Sequence, residues 1–328
     1  MRALYGLPAP AKLNWFLHVT GRRADGYHTL QTVFQFIDWS DSLDLIRRDD
    51  GVIRRVGGDG LPEDDLCVRA ARLLQTATGC RQGVDIHLRK SIPQQAGLGG
   101  GSSDAATVLI GLNRLWRLGL PRAELMRLGA RLGADVPVFV YGRNAWAQGV
   151  GDALQAVDLP TPWFAVVHPE HGLSTREVFA ALALTNLPGP LKITDFAEWL
   201  KSTAAAAHTG GGAQNSAAQP MWGRNDLQQA AQRLAPDVAL AARTLREVLL
   251  RQGLRPRFDV RMTGSGSAVF AWLDEASQRT LHAAALQDTP AQWQSRLCKG
   301  LAVHPLHGWV DGSSDLDGAA AAQGRHAG

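Results

Sequence analysis

The most regular alternation of apolar and polar residues runs from Gly83 to Lys90. Val84, Ile86 and Leu88 fall on one face, and the charged or polar residues between them fall on the other. This period of two predicts a half-buried strand, and Pro93 marks its end.

Helical spacing is found on both sides of this strand. Leu66 to Thr78 and the segment that begins at Ser103 repeat their apolar residues with a near-helical period. They predict two helices, the second of about four turns. Gly119 and Pro121 then end that helix and open another. From the strand onward, the predicted order is strand, glycine-rich loop, helix, turn, helix.

Further strands are predicted at Lys12 to Val19, at Thr32 to Ile37 and at Trp163 to Val167. A chain of 328 residues suits two domains of roughly 150 residues each. We place the boundary just before the last of these strands. The predicted domains are therefore 1–158, which carries the glycine-rich loop, and 159–311.

Two segments lack the large apolar residues that a packed core needs. Residues 202–219 and 312–328 consist mainly of small and polar residues. We therefore expect a flexible insertion in the second domain and a flexible tail.

Composition narrows the class of protein. The chain is 45% hydrophobic and 20% charged, and no run approaches the roughly 20 apolar residues of a membrane span. The first residues lack the apolar stretch of a secretory signal. Cys67, Cys80 and Cys298 form no CxxC pair, so neither a disulfide framework nor a zinc site is indicated. We expect packing roles for the cysteines and a cytoplasmic location.

The net charge of +4 and the pI near 9.2 reflect only a mild excess of basic residues. These residues are scattered along the chain, whereas a nucleic-acid binder concentrates them on one face. We therefore expect a solvated basic surface that tolerates an anionic small molecule, with neither a nucleic acid nor a membrane as partner.

The segment from Gly97 to Ser103 contains four glycines in its first five positions and ends in two serines. Glycine lets the backbone approach a phosphate closely, and the start of the following helix adds positive charge. The absence of a following lysine excludes the GxxxxGK[ST] loop, and Ser102 stands where a dinucleotide fingerprint needs glycine. A glycine-rich surface turn without a ligand is the alternative. Placement between a strand and a long helix favours the phosphate site.

Together with the preceding Pro93, this loop resembles the signature of the GHMP small-molecule kinases. Two other segments resemble motifs of the same family: 8–28 near the N-terminus and Met262 to Phe270 near the C-terminus. The first of these resembles one branch, whose acceptor carries a cytidine diphosphate. The resemblance covers roughly residues 8–305.

The resemblance implies a two-domain α+β architecture, with the active site in a cleft between an ATP-binding N-terminal domain and a ferredoxin-like C-terminal domain. It also implies transfer of the γ-phosphate of ATP, with Mg²⁺, to the 2-hydroxyl of a methylerythritol unit linked to cytidine diphosphate. The sequence leaves a monomer and a homodimer both open.

By resemblance, Lys12 and Asp135 are the catalytic residues. Phosphoryl transfer needs a group that accepts the hydroxyl proton and charge that stabilises the developing alkoxide. In isolation, Asp135 would be interpreted as a helix cap or turn residue and Lys12 as an exposed strand lysine. Their combination with the glycine loop favours catalysis.

The acceptor site is also assigned by resemblance. Tyr27 and Phe179 would stack on the two faces of the cytosine, and His28 would hydrogen-bond its edge. Asn14 and Thr175 would make polar contacts with the acceptor.

The residues assigned in the same way to ATP are Asp65, Leu66, Cys67, Pro93, Gly97, Leu98, Gly99, Gly100, Gly101, Ser102 and Ser103. The family often has asparagine at the position of Asp65, so the contact between this side chain and adenine is in question.

Two other functions remain open. A GHMP kinase for a small alcohol, such as homoserine or mevalonate, would have no use for the aromatic residues Tyr27 and Phe179. A nucleotide-binding regulator without catalytic activity would not need both Lys12 and Asp135.

Overall fold

The computed structural model describes residues 1–182, 189–208, 222–273, 277 and 286–310. The architecture is α+β, as predicted, and is built on two sheets. The first sheet has the order β3-β4-β2-β5-β6, with β1 also paired to β2. Its strands are β1 Ala3–Arg22, β2 His28–Arg48, β3 Ile53–Gly57, β4 Gly83–Arg89, β5 Ala145–Gln148 and β6 Ala153–Ala156.

The first sheet packs against four helices, which are α1 Leu66–Thr78, α2 Gly100–Leu115, α3 Arg122–Ala130 and α4 Val136–Tyr141. Helix α2 is buried along most of its length and contacts β1, β2, α1, α3 and α4. The predicted helix at 66–78 and the predicted strand at 83–90 are both confirmed, because each has one apolar face that the core buries.

Strands β1 and β2 form a long antiparallel hairpin, paired from Ala3 and Ile46 at one end to Arg22 and His28 at the other. The predicted strands at 12–19 and 32–37 are confirmed, but they cover only its middle. Pro8 and Pro10 lie within β1, although proline disfavours strand pairing. Strand β1 nevertheless continues past both prolines, and the register of its pairing with β2 shifts on either side of them.

The second sheet has the order β10-β7-β9-β8. Its strands are β7 Trp163–His168, β8 Arg261–Met262, β9 Val269–Trp272 and β10 Gln294–Lys299. The accompanying helices are α5 Thr175–Ala180, α6 Ile193–His208, α7 Gln228–Leu234 and α8 Asp237–Arg251, and a short 3₁₀ helix spans His307–Trp309.

An aromatic cluster joins β1 to the second sheet. Trp15 of β1 lies 4.9 Å from Trp272 of β9 and 6.1 Å from Phe196 of α6, measured between ring centroids. Backbone hydrogen bonds between Leu17 and the segment 224–226 add a second connection. The middle of β1 is therefore held by both sheets.

Two further boundaries differ from the prediction. Helix α2 begins at Gly100, inside the glycine-rich loop, and not at Ser103. Helix α6 continues to His208, so residues 202–208 of the predicted insertion are helical. Alanine-rich sequence has high helix propensity, which explains the extension. The rest of the predicted insertion and the predicted tail at 312–328 lie outside the described residues.

No helix in the described part of the chain combines the length and the apolar character that crossing a bilayer requires. The division into domains 1–158 and 159–311 stays a prediction. The strands of the first sheet end at Ala156 and those of the second begin at Trp163.

Candidate active site

Lys12 and Asp135 lie next to each other. The Lys12 Nζ atom is 3.3 Å from Asp135 Oδ2, although one residue lies in the middle of β1 and the other directly precedes α4. The Lys12 side chain is only 3% exposed, whereas that of Asp135 is 33% exposed. A buried cation therefore meets a carboxylate that solvent and ligands can reach.

Asn14 fixes the position of this lysine. Its Oδ1 atom accepts a hydrogen bond of 2.5 Å from Lys12 Nζ, and its Nδ2 atom donates to Thr32 Oγ1 at 2.8 Å. The backbone nitrogen of Asn14 donates to Thr263 Oγ1 at 2.9 Å. Both ends of the Asn14 amide are therefore engaged within the protein, and its predicted contact with the acceptor stays a prediction. The role of Thr32 had no signal in the sequence, and Thr263 was singled out only as part of the motif Met262 to Phe270.

The glycine-rich loop lies directly against Lys12. The backbone nitrogen of Lys12 donates to the carbonyl of Leu98 at 2.9 Å. Gly99, the N-cap of α2, has a φ of +75°, and a Cβ atom there would lie 3.1 Å from Lys12 Cε. The positive end of α2 and the ammonium of Lys12 are thus adjacent, which favours an anion at this place.

The other residues of the loop differ in accessibility. Pro93, Leu98 and Ser103 are buried, Gly101 is exposed, and Gly97, Gly99, Gly100 and Ser102 are intermediate. The Ser102 hydroxyl lies 3.9 Å from the place that a Cβ atom on Gly133 would occupy. The loop therefore reaches the segment that carries Asp135.

A second glycine-containing loop, residues 263–267 between β8 and β9, packs on the first. A Cβ atom on Gly97 would overlap the carbonyl oxygen of Thr263, and one on Gly264 would lie 2.7 Å from the carbonyl oxygen of Gly97. The backbone nitrogen of Ala268 donates to the carbonyl of Ala96 at 3.1 Å. The motif at Met262–Phe270 thus meets the glycine-rich loop, as expected for parts of one site.

Asn225, which the sequence analysis missed, holds the second loop. Its buried Nδ2 atom donates to the carbonyls of Met262 and Gly264 at 2.9 and 2.8 Å, and its Oδ1 atom accepts from the backbone nitrogen of Leu227 at 3.0 Å. Gly264 in turn lies beside Lys12 Nζ, because a Cβ atom there would be 3.2 Å from it. Asn225 follows a segment of small and polar residues and belongs to no recognisable spacing pattern, so the sequence did not indicate its role.

The predicted adenine segment adjoins the loop through Leu66. A Cβ atom on Gly101 would lie 3.5 Å from Leu66 Cδ1. Asp65 caps α1 by accepting from the backbone nitrogen of Val68 at 3.0 Å, and its other oxygen forms an ion pair of 2.8 Å with Arg55 Nε. Burial, together with the nearby carboxylates of Asp104 and Asp65, raises the pKa of the Cys67 thiol.

A buried charge cluster lies beneath the loop. Lys90 forms ion pairs with Asp41 and, at 2.7 Å, with Asp104 in the first turns of α2. Burial raises the pKa of Asp104 to about 7. Burial alone would lower the pKa of Lys90, but the carboxylates of Asp104 and Asp41 outweigh it and raise that pKa. The sequence analysis missed this cluster because its members come from three separate segments.

The residues predicted to hold the acceptor base form a smaller group. The ring of Phe179 is stacked on that of His28, with centroids 5.0 Å apart and planes at 22°. Tyr27 is 67% exposed, next to His28 at the tip of the β1–β2 hairpin. Burial and the neighbouring Arg22 lower the pKa of His28. Phe179 thus contacts the histidine, and its predicted place in a sandwich with Tyr27 stays a prediction.

Thr175, the remaining predicted acceptor residue, lies at the start of α5. Its Oγ1 atom is 2.8 Å from Ser265 Oγ, in the second glycine-containing loop. This contact connects the predicted acceptor residues of α5 with the loop that packs against Gly97.

Comparison with known proteins adds to this geometry. Residues 65–143 match the family described as GHMP kinases N terminal domain. The chain is 49% identical over 315 residues to 4-diphosphocytidyl-2-C-methyl-D-erythritol kinase of Paracidovorax citrulli, which covers 94% of this chain and 99% of that protein. It is 50% identical over 301 residues to the protein of the same name from Cupriavidus necator, which covers 91% and 94%.

Solved structures agree with these relatives. A crystal structure of 4-(cytidine 5'-diphospho)-2C-methyl-D-erythritol kinase matches with a TM-score of 0.70 and 33% identity, over 89% of this chain and 98% of that one. The Methanococcus jannaschii mevalonate kinase matches with a TM-score of 0.58 at 15% identity, over 91% and 98%. The second similarity shows the shared fold alone.

Proposed function

The chain belongs to the 4-diphosphocytidyl-2-C-methyl-D-erythritol kinase family, and we propose that it transfers the γ-phosphoryl group of ATP to the 2-hydroxyl of 4-diphosphocytidyl-2-C-methyl-D-erythritol. This reaction is a step of isopentenyl diphosphate biosynthesis by the methylerythritol phosphate pathway. The relatives support this acceptor over homoserine or mevalonate. Both relatives compared above are named as kinases of this acceptor, and each aligns with the chain over nearly its whole length.

The contact between Lys12 and Asp135, beside the glycine-rich loop, is the observation that carries the proposal. In the reaction, the acceptor oxygen forms a bond to the γ-phosphorus while the bond from that phosphorus to the β,γ-bridging oxygen breaks. Asp135 accepts the proton of the hydroxyl, and ADP leaves with the electron pair of the broken bond. Lys12 stabilises the negative charge that develops on the attacking and transferred oxygens.

Backbone nitrogens of the glycine-rich loop and the start of α2 bind the phosphates of ATP. Among the described residues, no group of three or more His, Cys, Asp or Glu side chains could hold a metal ion. Ser102, through its hydroxyl, and Asp135, through its accessible carboxylate, are the residues that would hold Mg²⁺ beside the phosphates of ATP. When bound, Mg²⁺ neutralises phosphate charge.

The acceptor's cytosine is recognised at the tip of the β1–β2 hairpin. His28 and Phe179 are already stacked there, and Tyr27 offers an exposed ring beside them. Thr175, whose hydroxyl contacts Ser265 and which begins the helix that carries Phe179, contacts the acceptor. Asn14 acts mainly through Lys12, because both ends of its amide are engaged. The cytoplasmic location also stays part of this proposal.

A coupled assay of ADP release with three acceptors tests the proposal. The full chain, ATP and Mg²⁺ are mixed separately with the cytidine-diphosphate acceptor, with mevalonate and with homoserine. We expect turnover with the first acceptor only. Turnover confined to mevalonate or homoserine would overturn the acceptor, and no turnover with any of them, despite ATP binding, would favour a regulator.

A further inference from the structure

Arg55 organises the loop that leads into α1. Its side chain is only 11% exposed, and its guanidinium makes hydrogen bonds to four backbone carbonyls. Nη1 donates to the carbonyls of Gly57 and Gly58. Nη2 donates to the carbonyls of Leu61 and Pro62. The planar, rigid donor group of arginine suits it to hold several acceptors in a fixed arrangement.

The loop depends on such a restraint. Gly57, Gly58 and Gly60 all have positive φ, between 67° and 80°. Glycines lose more conformational entropy than other residues when a loop becomes ordered. Contacts with one buried side chain offset part of that cost, so we expect the shape of residues 57–62 to depend on Arg55.

Asp65 completes the arrangement. One carboxylate oxygen is 2.8 Å from Arg55 Nε, and the other accepts from the backbone nitrogen of Val68 at 3.0 Å. The same carboxylate therefore joins the loop to the first turn of α1. Because both of its oxygens are engaged, Asp65 acts on a ligand through the backbone that it positions and not through a free oxygen.

This assembly lies beside the phosphate-binding loop, because Leu66 Cδ1 is 3.5 Å from the place of a Cβ atom on Gly101. A nucleotide with its phosphates at that loop would extend its base along the wall formed by residues 57–62 and the start of α1. We propose that Arg55, together with Asp65, is a positioning residue for the base of ATP and holds this wall in its binding shape. The inference rests on the proposed function only in taking ATP as the ligand.

The test compares binding of ATP and of tripolyphosphate, which has phosphates but no base, to the full chain by calorimetry. For Arg55→Met we expect a loss of ATP affinity of about tenfold, whereas the tripolyphosphate affinity changes less than about twofold. Arg55→Lys, which keeps the charge but lacks the planar donors, should recover only part of the ATP affinity. The matched control is Arg54→Met, since Arg54 precedes it in β3 and forms an exposed ion pair of 2.9 Å with Asp85.

A double variant separates positioning from stability. Arg55→Met alone leaves the buried Asp65 carboxylate unpaired, so the thermal midpoint should fall. Adding Asp65→Asn removes that charge and keeps an oxygen for the helix cap, so the midpoint should recover while the ATP affinity stays low.

Three results would overturn the inference. They are unchanged ATP affinity in Arg55→Met, an equal loss for tripolyphosphate, and recovery of ATP affinity in the double variant along with its stability. Failure of the proposed function would look different: ATP would bind the unmodified chain as expected, but the cytidine-diphosphate acceptor would not be turned over.

Discussion

The Asp135 carboxylate approaches to 3.3 Å from the ammonium of Lys12, which β1 carries beneath the glycine-rich loop. Replacing the carboxylate with an amide in Asp135→Asn removes the proton acceptor but nearly preserves its shape. We expect turnover to fall by about 10²–10⁴-fold, because this is the usual contribution of a positioned general base. Steady-state assays give kcat, and calorimetry should show that ATP and the acceptor still bind.

Asp158→Asn is the control for that substitution. Asp158 also forms an ion pair of 3.3 Å, with Arg143, but its side chain is 98% exposed. Exposed pairs contribute little, so kcat should be unchanged. If Asp135→Asn kept near-normal turnover, Asp135 would not be the proton acceptor.

The close packing of the two glycine-containing loops predicts a difference between two glycine substitutions. Gly97 and Gly119 have nearly equal φ values of +73° and +66°. A Cβ atom on Gly97 would overlap the backbone of Thr263, whereas one on Gly119 would meet nothing within 4 Å. Both alanine variants bear a backbone strain of about 1–2 kcal/mol, and Gly97→Ala adds an overpacking cost of about 1–3 kcal/mol.

Chemical denaturation of the two variants measures this difference, and ATP binding measures its functional effect. Gly97→Ala should be the less stable variant and should bind ATP more weakly. Equal stability of the two variants would mean that the two loops separate easily.

The stacked pair of His28 and Phe179 predicts how the acceptor is held. Stacking of a base on an aromatic ring contributes about 1–3 kcal/mol, so Phe179→Ala should raise the KM for the cytidine-diphosphate acceptor by about tenfold or more. The KM for ATP should stay unchanged, and Phe179→Tyr, which keeps the ring, should restore the acceptor KM. An equal rise in both KM values would point to a general loss of structure.

The buried carboxylate of Asp104 makes stability depend on pH. Burial raises its pKa from 3.8 to about 7, so the folded protein binds more protons at this group than the unfolded chain does between those values. Its contribution to the free energy of unfolding therefore falls as the pH rises from about 4 to about 7. Asp104→Asn cannot ionise, so its stability relative to the unmodified protein should improve between about pH 5 and about pH 8.

Urea denaturation of both proteins at the two pH values provides the comparison. The quantity of interest is the change in their difference, because groups outside the cluster of Asp104, Lys90 and Asp41 contribute equally to both proteins. Parallel pH profiles would show that Asp104 does not titrate in this range.

Periodic segments of the fold could be predicted from the sequence, and isolated polar contacts could not. The helix at Leu66–Thr78 and the strand at Gly83–Arg89 each bury one regularly spaced face, which leaves a pattern in the chain. Helix α2 begins earlier than predicted, at Gly100 with Gly99 as its N-cap. Glycine is a poor helix former, so the pattern did not predict a helix there.

The candidate site could likewise be predicted only where its residues lie in recognisable motifs. Motif resemblance identified Lys12 and Asp135, whose proximity the structure then displays. The resemblance did not identify Asn225, Arg55 or the cluster around Lys90, because each acts through contacts between segments that are separate in the chain. Spacing along a sequence carries no information on such contacts.

The burial of Cys67 also determines how the nucleotide site responds to reactive compounds. Its thiol lies at the start of α1, beside Leu66, but burial and two nearby carboxylates disfavour the thiolate, which is the form that alkylating agents and oxidants attack. Electrophilic inhibitors directed at this cysteine should therefore react only when α1 opens locally. The rate of Cys67 alkylation should therefore measure how often α1 opens, and bound ATP should lower that rate.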